Sequence, residues 1–369
     1  MLIPLAAAVT ETCGGKAAAL GALLRAGLPV PDGVVVPFTT TAEDLEGALD
    51  ELGDSPVAVR SSATGEDTAQ TSAAGQYESF LGVRGAGEIA KAVHACRASL
   101  FSPRAVAYRA DRPSADPAMA VIIQRHVDAE VSGVMFTTAA SNGATEIEAS
   151  WGLGPSVVEG RITPDAYRVA GDGTITRSVA DKQTRLDRRG ARLITSEVPA
   201  PARAQPTLDD PTAAQLAALG GQAAAVLGGP QDIEWALSDG HLWLLQARPI
   251  TAALPSRPSD AVPAAALTGT PGSHGTATGT ARIVRGPGDF TRVRPGDILI
   301  CPFTDPAWTP LLRIVAGVVT ETGGVLSHAA IVAREQAIPA VLGVPNATNR
   351  LHDGAIITLD GAMGTVTRW

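Results

Sequence analysis

The most chemically pointed feature of the sequence is a histidine at the mouth of a helix, just after paired glycines. Over 316–343 the chain reads AGVVTETGGVLSHAAIVAREQAIPAVLG. Gly323-Gly324 opens backbone conformations closed to other residues. Ser327 is placed to cap the helix that follows, and His328 falls in its first turn. The imidazole thus sits beside free backbone N–H groups and the positive end of a helix dipole, which favours a phosphate dianion. The same field disfavours imidazolium and leaves a neutral, nucleophilic ring. Taken alone, the residue could equally be a histidine that merely starts a helix. Arg334 lies nearly two turns further on, with Glu335 beside it.

Three further constellations suit phosphate or metal. Gly14-Gly15-Lys16 precedes an apolar helix and can bring backbone N–H groups and an ammonium to an anion, although the Walker A spacing is missing. An ordinary helix entry would read the same. In VAVRSSATGEDTAQTSAAGQ (57–76) a buried strand delivers Arg60 into a Ser/Thr/Gly loop, a common way to hold an anion; a surface ion pair is the alternative. In DIEWAL…LLQARPI, Glu234 and Gln246 can face one pocket across a hairpin. A carboxylate and an amide oxygen suit Mg²⁺. Arg248, two residues beyond Gln246, shares its strand face and can clamp a phosphate; otherwise this is a surface hairpin with a polar face.

The elements that must position these residues alternate between strand and helix patterns, which predicts a mixed α/β (α+β) fold. MLIPLAAAV reads as a first strand, AAALGALLRAG as a helix of period near 3.6, and TAEDLEGALDEL as an amphipathic helix. Strand-like runs recur at 57–60, 120–124, 133–137, 145–150, 232–237 and 241–247, the last two flanking a Ser238-Asp239-Gly240 hairpin signal. Residues 252–266, AALPSRPSDAVPAAA, read as a semi-stiff linker that could span up to ~50 Å at ~3.3 Å per residue. The expected organisation is a first domain over 1–251, this linker, and a second domain over 267–369 built of short strands around the helix SHAAIVAREQ.

Of the 369 residues, 45% are hydrophobic and the net charge is −8. An acidic chain argues against non-specific nucleic-acid or anionic-membrane partners. No run reaches the ~18 apolar residues of a membrane span, so a cytoplasmic protein is expected. Cys13, Cys96 and Cys301 are scattered and suggest neither a zinc site nor a disulfide framework. Lys16, Lys91 and Lys182 are the only lysines in a chain that otherwise uses arginine, which makes a lysine inside a Gly-rich motif more telling.

The stretch around His328 — GG, two residues, SH, AI, ARE, IPAV, G — resembles the phosphohistidine signature of the phosphoenolpyruvate-utilising enzymes. That family includes phosphoenolpyruvate synthase, pyruvate phosphate dikinase and rifampin phosphotransferase, and TDPAWTPLL upstream resembles the last of these. Most of 1–251 is similar to the family's ATP-grasp domain, and the second domain to its small swivelling β/α phosphohistidine domain. The resemblance implies that His328 carries the phosphoryl group. It places Lys16, Arg60, Gly75, Ser79, Gln124, Glu234, Gln246 and Arg248 on the ATP site. Lys16, Arg60 and Arg248 would hold phosphates, Glu234 and Gln246 would serve Mg²⁺, and Gln124 would lie near the adenine or ribose. Ser79 keeps a hydroxyl where threonine is found. Pro155 stands where the family usually has Glu, and Ala73 where Phe is common.

The resemblance further implies an AMP-forming, ATP-dependent phosphotransferase with domain motion between two sites. Only about fifteen residues separate the two domains, and no acceptor-binding unit is legible. A small-molecule acceptor, a hydroxyl held between the domains, is therefore expected; the alternative is a phosphocarrier that docks a separate acceptor-binding protein. Phosphoenolpyruvate synthesis itself is not expected, because no pyruvate-binding barrel can be read.

Overall fold

The computed structural model describes residues 1–40, 55–64, 66, 77–109, 117–138, 143–190, 192–251, 254 and 266–368. The helix expected at TAEDLEGALDEL, the linker apart from Leu254 and Ala266, and both Ala73 and Gly75 lie outside the described residues.

Two sheets make the first unit. The first has the order β1-β2-β5-β3-β4: β1 is Ile3–Pro4, β2 Gly33–Val36, β3 Val57–Ala63, β4 Ser79–Val83 and β5 Met119–Arg125. The expected opening strand is thus only two residues long. A single turn of 3₁₀ helix at Leu5–Ala7 replaces the rest and turns Leu5 and Ala8 into the core. Strand β5 is central, and its alternation serves two cores. Met119, Val121 and Ile123 meet helix α2 (Ala86–Ser99) on one face; Ala120 and Ile122 join the cluster of helix α1 (Thr10–Arg25) on the other.

The second sheet has the order β13-β12-β6-β7-β8-β9. Its strands are β6 Val131–Phe136, β7 Thr145–Trp151, β8 Asp165–Val169, β9 Ile175–Ser178, β12 Gln231–Ser238 and β13 His241–Pro249, all antiparallel to their neighbours. Ser238 pairs with His241, and the two residues between them have positive φ (Asp239 51°, Gly240 73°), the hairpin turn that their types favour. One face packs on helix α4 (Asp210–Leu227) and α1, burying Trp235, Met135 and Tyr167. Helix α3 (Pro155–Val158) begins with Pro155 in its first turn, where a missing N–H costs nothing. A separate hairpin pairs β10 (Thr184–Arg189) with β11 (Arg192–Glu197).

An eight-stranded mixed sheet forms the last unit, ordered β14-β21-β20-β16-β17-β18-β19-β15. Its ranges are β14 Leu267–Thr268, β15 Thr270–Ser273, β16 Thr276–Ile283, β17 Ile298–Cys301, β18 Gly317–Thr320, β19 Ala340–Leu342, β20 Ile356–Asp360 and β21 Thr365–Arg368. Strands β16 to β19 are parallel, and helix α5 (His328–Glu335) makes the crossover from β18 to β19. Among the described residues no helix is long and apolar enough to cross a membrane.

A buried ion pair fixes the edge of the second sheet. Lys182 Nζ donates to Asp165 Oδ1 at 2.6 Å, both side chains fully buried. The other carboxylate oxygen accepts from the N–H and hydroxyl of Thr207. Removing one member of such a pair strands the other charge, at a cost of about 3–5 kcal/mol. Lys182→Met is expected to lose stability on that scale in denaturant unfolding at pH 7, whereas Lys91→Met, at an exposed helical pair, is expected to change it by under about 1 kcal/mol.

Candidate active site

Arg60 leaves β3 on the face shared with Ala58 and Ser62, towards α1 and the second sheet. Its guanidinium crosses to β12 and β13. One terminal nitrogen donates to Glu234 Oε2 at 2.9 Å and to Gln246 Oε1; the other donates to the Leu245 carbonyl. The Leu245 carbonyl is available because the register shifts at this point: Glu234 pairs with Gln246, and Trp235 already with Leu244. The extra residue is a β-bulge, which re-aims a strand beside a site.

The bulge thereby brings Glu234 and Gln246 to face one pocket, the arrangement expected of this hairpin. Two oxygen donors converge on one positive centre, and this set fits a hard, oxygen-seeking ion. Among the described residues no group of three or more His, Cys, Asp or Glu side chains could hold a metal by itself. Arg248 lies on the same face and is buried against Asp232, at 2.7 and 2.8 Å. Asp232 precedes Glu234 by two residues, so the period of the strand already placed it here.

The Gly14-Gly15-Lys16 segment lies across the end of β3. Gly14 kinks the helix with φ 79° and ψ 170°, which sets a first turn over 10–13 apart from the turns that follow. A Cβ on Gly14 would come within 2.4 Å of the Ser62 carbonyl, and one on Gly15 within 2.6 Å of the Glu66 carbonyl. Only glycine allows that approach. It brings Lys16 Nζ to Glu66 Oε1 at 2.6 Å, while Glu66 Oε2 accepts from the Ala63 N–H. Glu66 was missed from sequence, although it lies in the quoted ATGEDT loop.

Ser79 pairs directly opposite Arg60 on β4 and so shares its face. Gln124 sits on β5 opposite Ala58, on that face too. It is buried, and its amide nitrogen donates to the Pro31 carbonyl at 2.8 Å.

His328 opens α5 and is buried. Its Nδ1 is 2.9 Å from the Thr304 hydroxyl and its Nε2 3.3 Å from that of Thr309. Both threonines belong to the TDPAWTPLL segment, where only the family likeness marked them. A hydroxyl can donate or accept, so the pair suits either neutral tautomer. Ser327 is the residue before the helix, as expected, but its hydroxyl caps no N–H; it donates back to the Gly324 carbonyl at 2.8 Å.

The loop before His328 is seated on the second sheet. Glu148, on β7, takes the Val325 N–H on Oε1 (2.6 Å) and the Leu326 N–H on Oε2 (3.1 Å). Thr322 donates to the Gly160 carbonyl, and the Gly323 N–H to that of Ile162. Leu326 and Ile331 join Val134, Phe136, Val157 and Ile162 in one apolar cluster. Arg334 lies over Phe136 and donates to the Val325 and Gly272 carbonyls. Burial pushes the Glu148 carboxyl up to about 7, against the two N–H donors and the Arg334 charge, which pull it down.

Residues 39–264 match the family model of the pyruvate phosphate dikinase AMP/ATP-binding domain, and 293–364 that of the PEP-utilising enzyme mobile domain. A probable phosphoenolpyruvate synthase of Methanothermobacter thermautotrophicus is 36% identical over 96% of this chain and 61% of its own length. The phosphoenolpyruvate synthase of Pyrococcus furiosus is 37% identical over 88% of this chain and 43% of its own. The chain thus spans about half the length of these relatives, and the likeness to rifampin phosphotransferase in particular rests on TDPAWTPLL alone. With an AMP/ATP-binding unit matched over more than half of the chain, and the mobile unit matched beyond it, the chain belongs to the phosphoenolpyruvate-utilising dikinase family.

Proposed function

We propose that this chain transfers a phosphoryl group from ATP, through His328, to an oxygen nucleophile of a small molecule. The observation that carries this reading is the seating of the histidine loop. In register, Glu148 pairs with Val134, Val134 with Glu234 and Glu234 with Gln246. The strand face that grips the histidine loop is therefore the face that carries Glu234, Gln246, Asp232 and Arg248.

ATP would lie between the two sheets of the first unit, with Lys16, Arg60 and Arg248 on its phosphates and Gln124 and Ser79 on the flanking face. Each of the three cations has an acidic or amide partner that phosphates would replace, so the charges are already aimed and need little reorganisation. Bound at Glu234 and Gln246, Mg²⁺ would supply further neutralisation of phosphate charge. A His328 ring nitrogen attacks the β-phosphorus, the α–β bridging bond breaks, and AMP leaves with its electron pair. Water then cleaves the β–γ bond, releasing inorganic phosphate and leaving phospho-His328. The unit swivels, and the acceptor oxygen takes the phosphoryl group as its proton departs. The relatives' name points to an enol oxygen; a hydroxyl acceptor held between the units is the same chemistry.

Product analysis with ATP and Mg²⁺ tests the relay. The wild type is expected to form AMP and phosphate and to carry an acid-labile adduct by intact mass, and His328→Ala neither. ADP as the only product, or binding without adduct, would sink the mechanism. A stable second protein on purification would favour a phosphocarrier that serves a separate acceptor-binding protein.

Two further outcomes are expected. Arg60→Ala removes a charge aimed at the transferring group, so adduct formation should slow by about 10²–10³. Thr304→Val removes one hydrogen bond to the ring, a net ~1 kcal/mol, and should slow adduct formation by roughly fivefold to tenfold with ATP affinity unchanged. Rapid-quench adduct formation across ATP concentrations separates the two effects.

A further inference from the structure

We propose that Glu148 is the latch of the histidine-bearing unit: a positioning residue on the nucleotide-binding unit that grips the backbone just before His328 and must let go for the unit to swivel. The inference rests on the relay proposed above for its purpose, though not for its geometry.

Four observations point to a latch rather than an incidental contact. Each carboxylate oxygen takes its own backbone donor, Val325 and Leu326, three and two residues before His328. Among the described residues these are the hydrogen bonds Glu148 receives, so its polar atoms are satisfied only while the units are together. A buried carboxylate without partners is costly, and undocking returns this one to water.

Second, the loop is shaped around the carboxylate. A Cβ on Gly324 would fall 2.1 Å from Glu148 Oε1 and 2.4 Å from Oε2. Third, the approach is close on both sides. A Cβ on Gly160 would meet Ser327 Cβ at 3.2 Å and Gly323 Cα at 3.5 Å. Fourth, Glu148 lies two strands from Glu234 on one face, about 10 Å away at ~4.8 Å per strand, so gripping the loop here sets His328 relative to the metal-and-phosphate hairpin.

The latch is also proton-linked. The groups around it are few: Glu146 on its own strand, Arg334 on α5, and the uncharged Val134 and Ala166 on the flanking strands. Docking raises the carboxyl from an ordinary value near 4.5 to about 7, so the docked state binds the extra proton. Docking is therefore strongest below the undocked value, and weakens as pH climbs through 7. Glutamine does not titrate and keeps one acceptor oxygen, but its amide nitrogen cannot accept the second N–H, so it should dock more weakly and without this dependence.

Hydrogen–deuterium exchange on the full chain tests this without needing activity. In Glu148→Ala, protection of the 323–326 amides, corrected for intrinsic rate, is expected to fall at least tenfold, with β17 and β18 unchanged. Gly324→Ala should do the same by blocking the approach. Between pH 5 and 7 wild-type protection should fall by up to about tenfold per unit, and Glu148→Gln, with one acceptor in place of two, should lose part of its protection and be flat with pH. Adduct formation at saturating ATP should slow in both alanine variants at unchanged half-saturation. Unchanged protection in Glu148→Ala, equal loss throughout β17 and β18, or a pH-independent wild type would each overturn the latch. Absence of any adduct in the wild type would instead defeat the relay and leave the exchange result to judge the latch.

Discussion

The Arg60 guanidinium ties together the two sheets of the nucleotide-binding unit, and much of the site depends on it. Arg60 belongs to the five-stranded sheet, while the oxygens that receive it belong to the six-stranded one. Three acceptors around one planar cation leave little freedom in how the sheets face each other. The bulge at Leu245 is part of the same solution: it unpairs a carbonyl in the middle of a hairpin and turns it to Arg60. Lys16 with Glu66, and Arg248 with Asp232, repeat the theme on either side. Lys16, Arg60 and Arg248 each meet an acidic partner, which offsets the repulsion that cations lining one cleft would otherwise feel.

The contact between the units follows a different logic. Its apolar part is small, with Leu326 and Ile331 from one side and Val134, Phe136, Val157 and Ile162 from the other. Each such side chain contributes about 1.5–3 kcal/mol when fully withdrawn from water, and ordering the two units offsets part of that. The remainder is polar: backbone N–H to carboxylate, hydroxyl and backbone N–H to carbonyl, and the Arg334 cation over the Phe136 ring. Burial lowers the Arg334 pKa to about 10, still well above neutral, so it docks as a cation. The hydrogen bonds of this interface can open with water as the replacement partner, which suits the swivelling proposed for the unit.

What could be read from the sequence was whatever a strand or helix period dictates. The shared face of Gln246 and Arg248 follows from strand alternation, and the strands through 57–63, 119–125 and 131–136 from apolar runs; Glu234 joins that face only through the bulge at Leu245, which no period encodes. Helices α2 and α4 were not singled out; α4 is dominated by alanine, which patterns weakly. The opening strand was over-read because Leu5 and Ala8 are buried by a 3₁₀ turn rather than by pairing. The residues missed at the site share a property. Glu66, Glu148, Thr304 and Thr309 act on partners between 19 and 178 residues away, and no local period encodes such a pairing. Asp232 was within reach, since it alternates with Glu234.

The paired glycines show how a correct motif can carry a second reason. Conformational freedom explains Gly323, whose φ is 104°. Gly324 needs no such freedom, since its φ is not in the left-handed region. It is glycine because a carboxylate from another unit occupies the space of its side chain. The same holds at Gly14 and Gly15, where the first supplies a helix break and the second clears a carbonyl of the facing loop. In both pairs one glycine shapes its own backbone and the other admits a distant strand or loop. The spacing of the motif therefore records tertiary contact as well as local geometry, and the residue before the reactive loop is constrained by a partner more than 170 positions earlier in the chain.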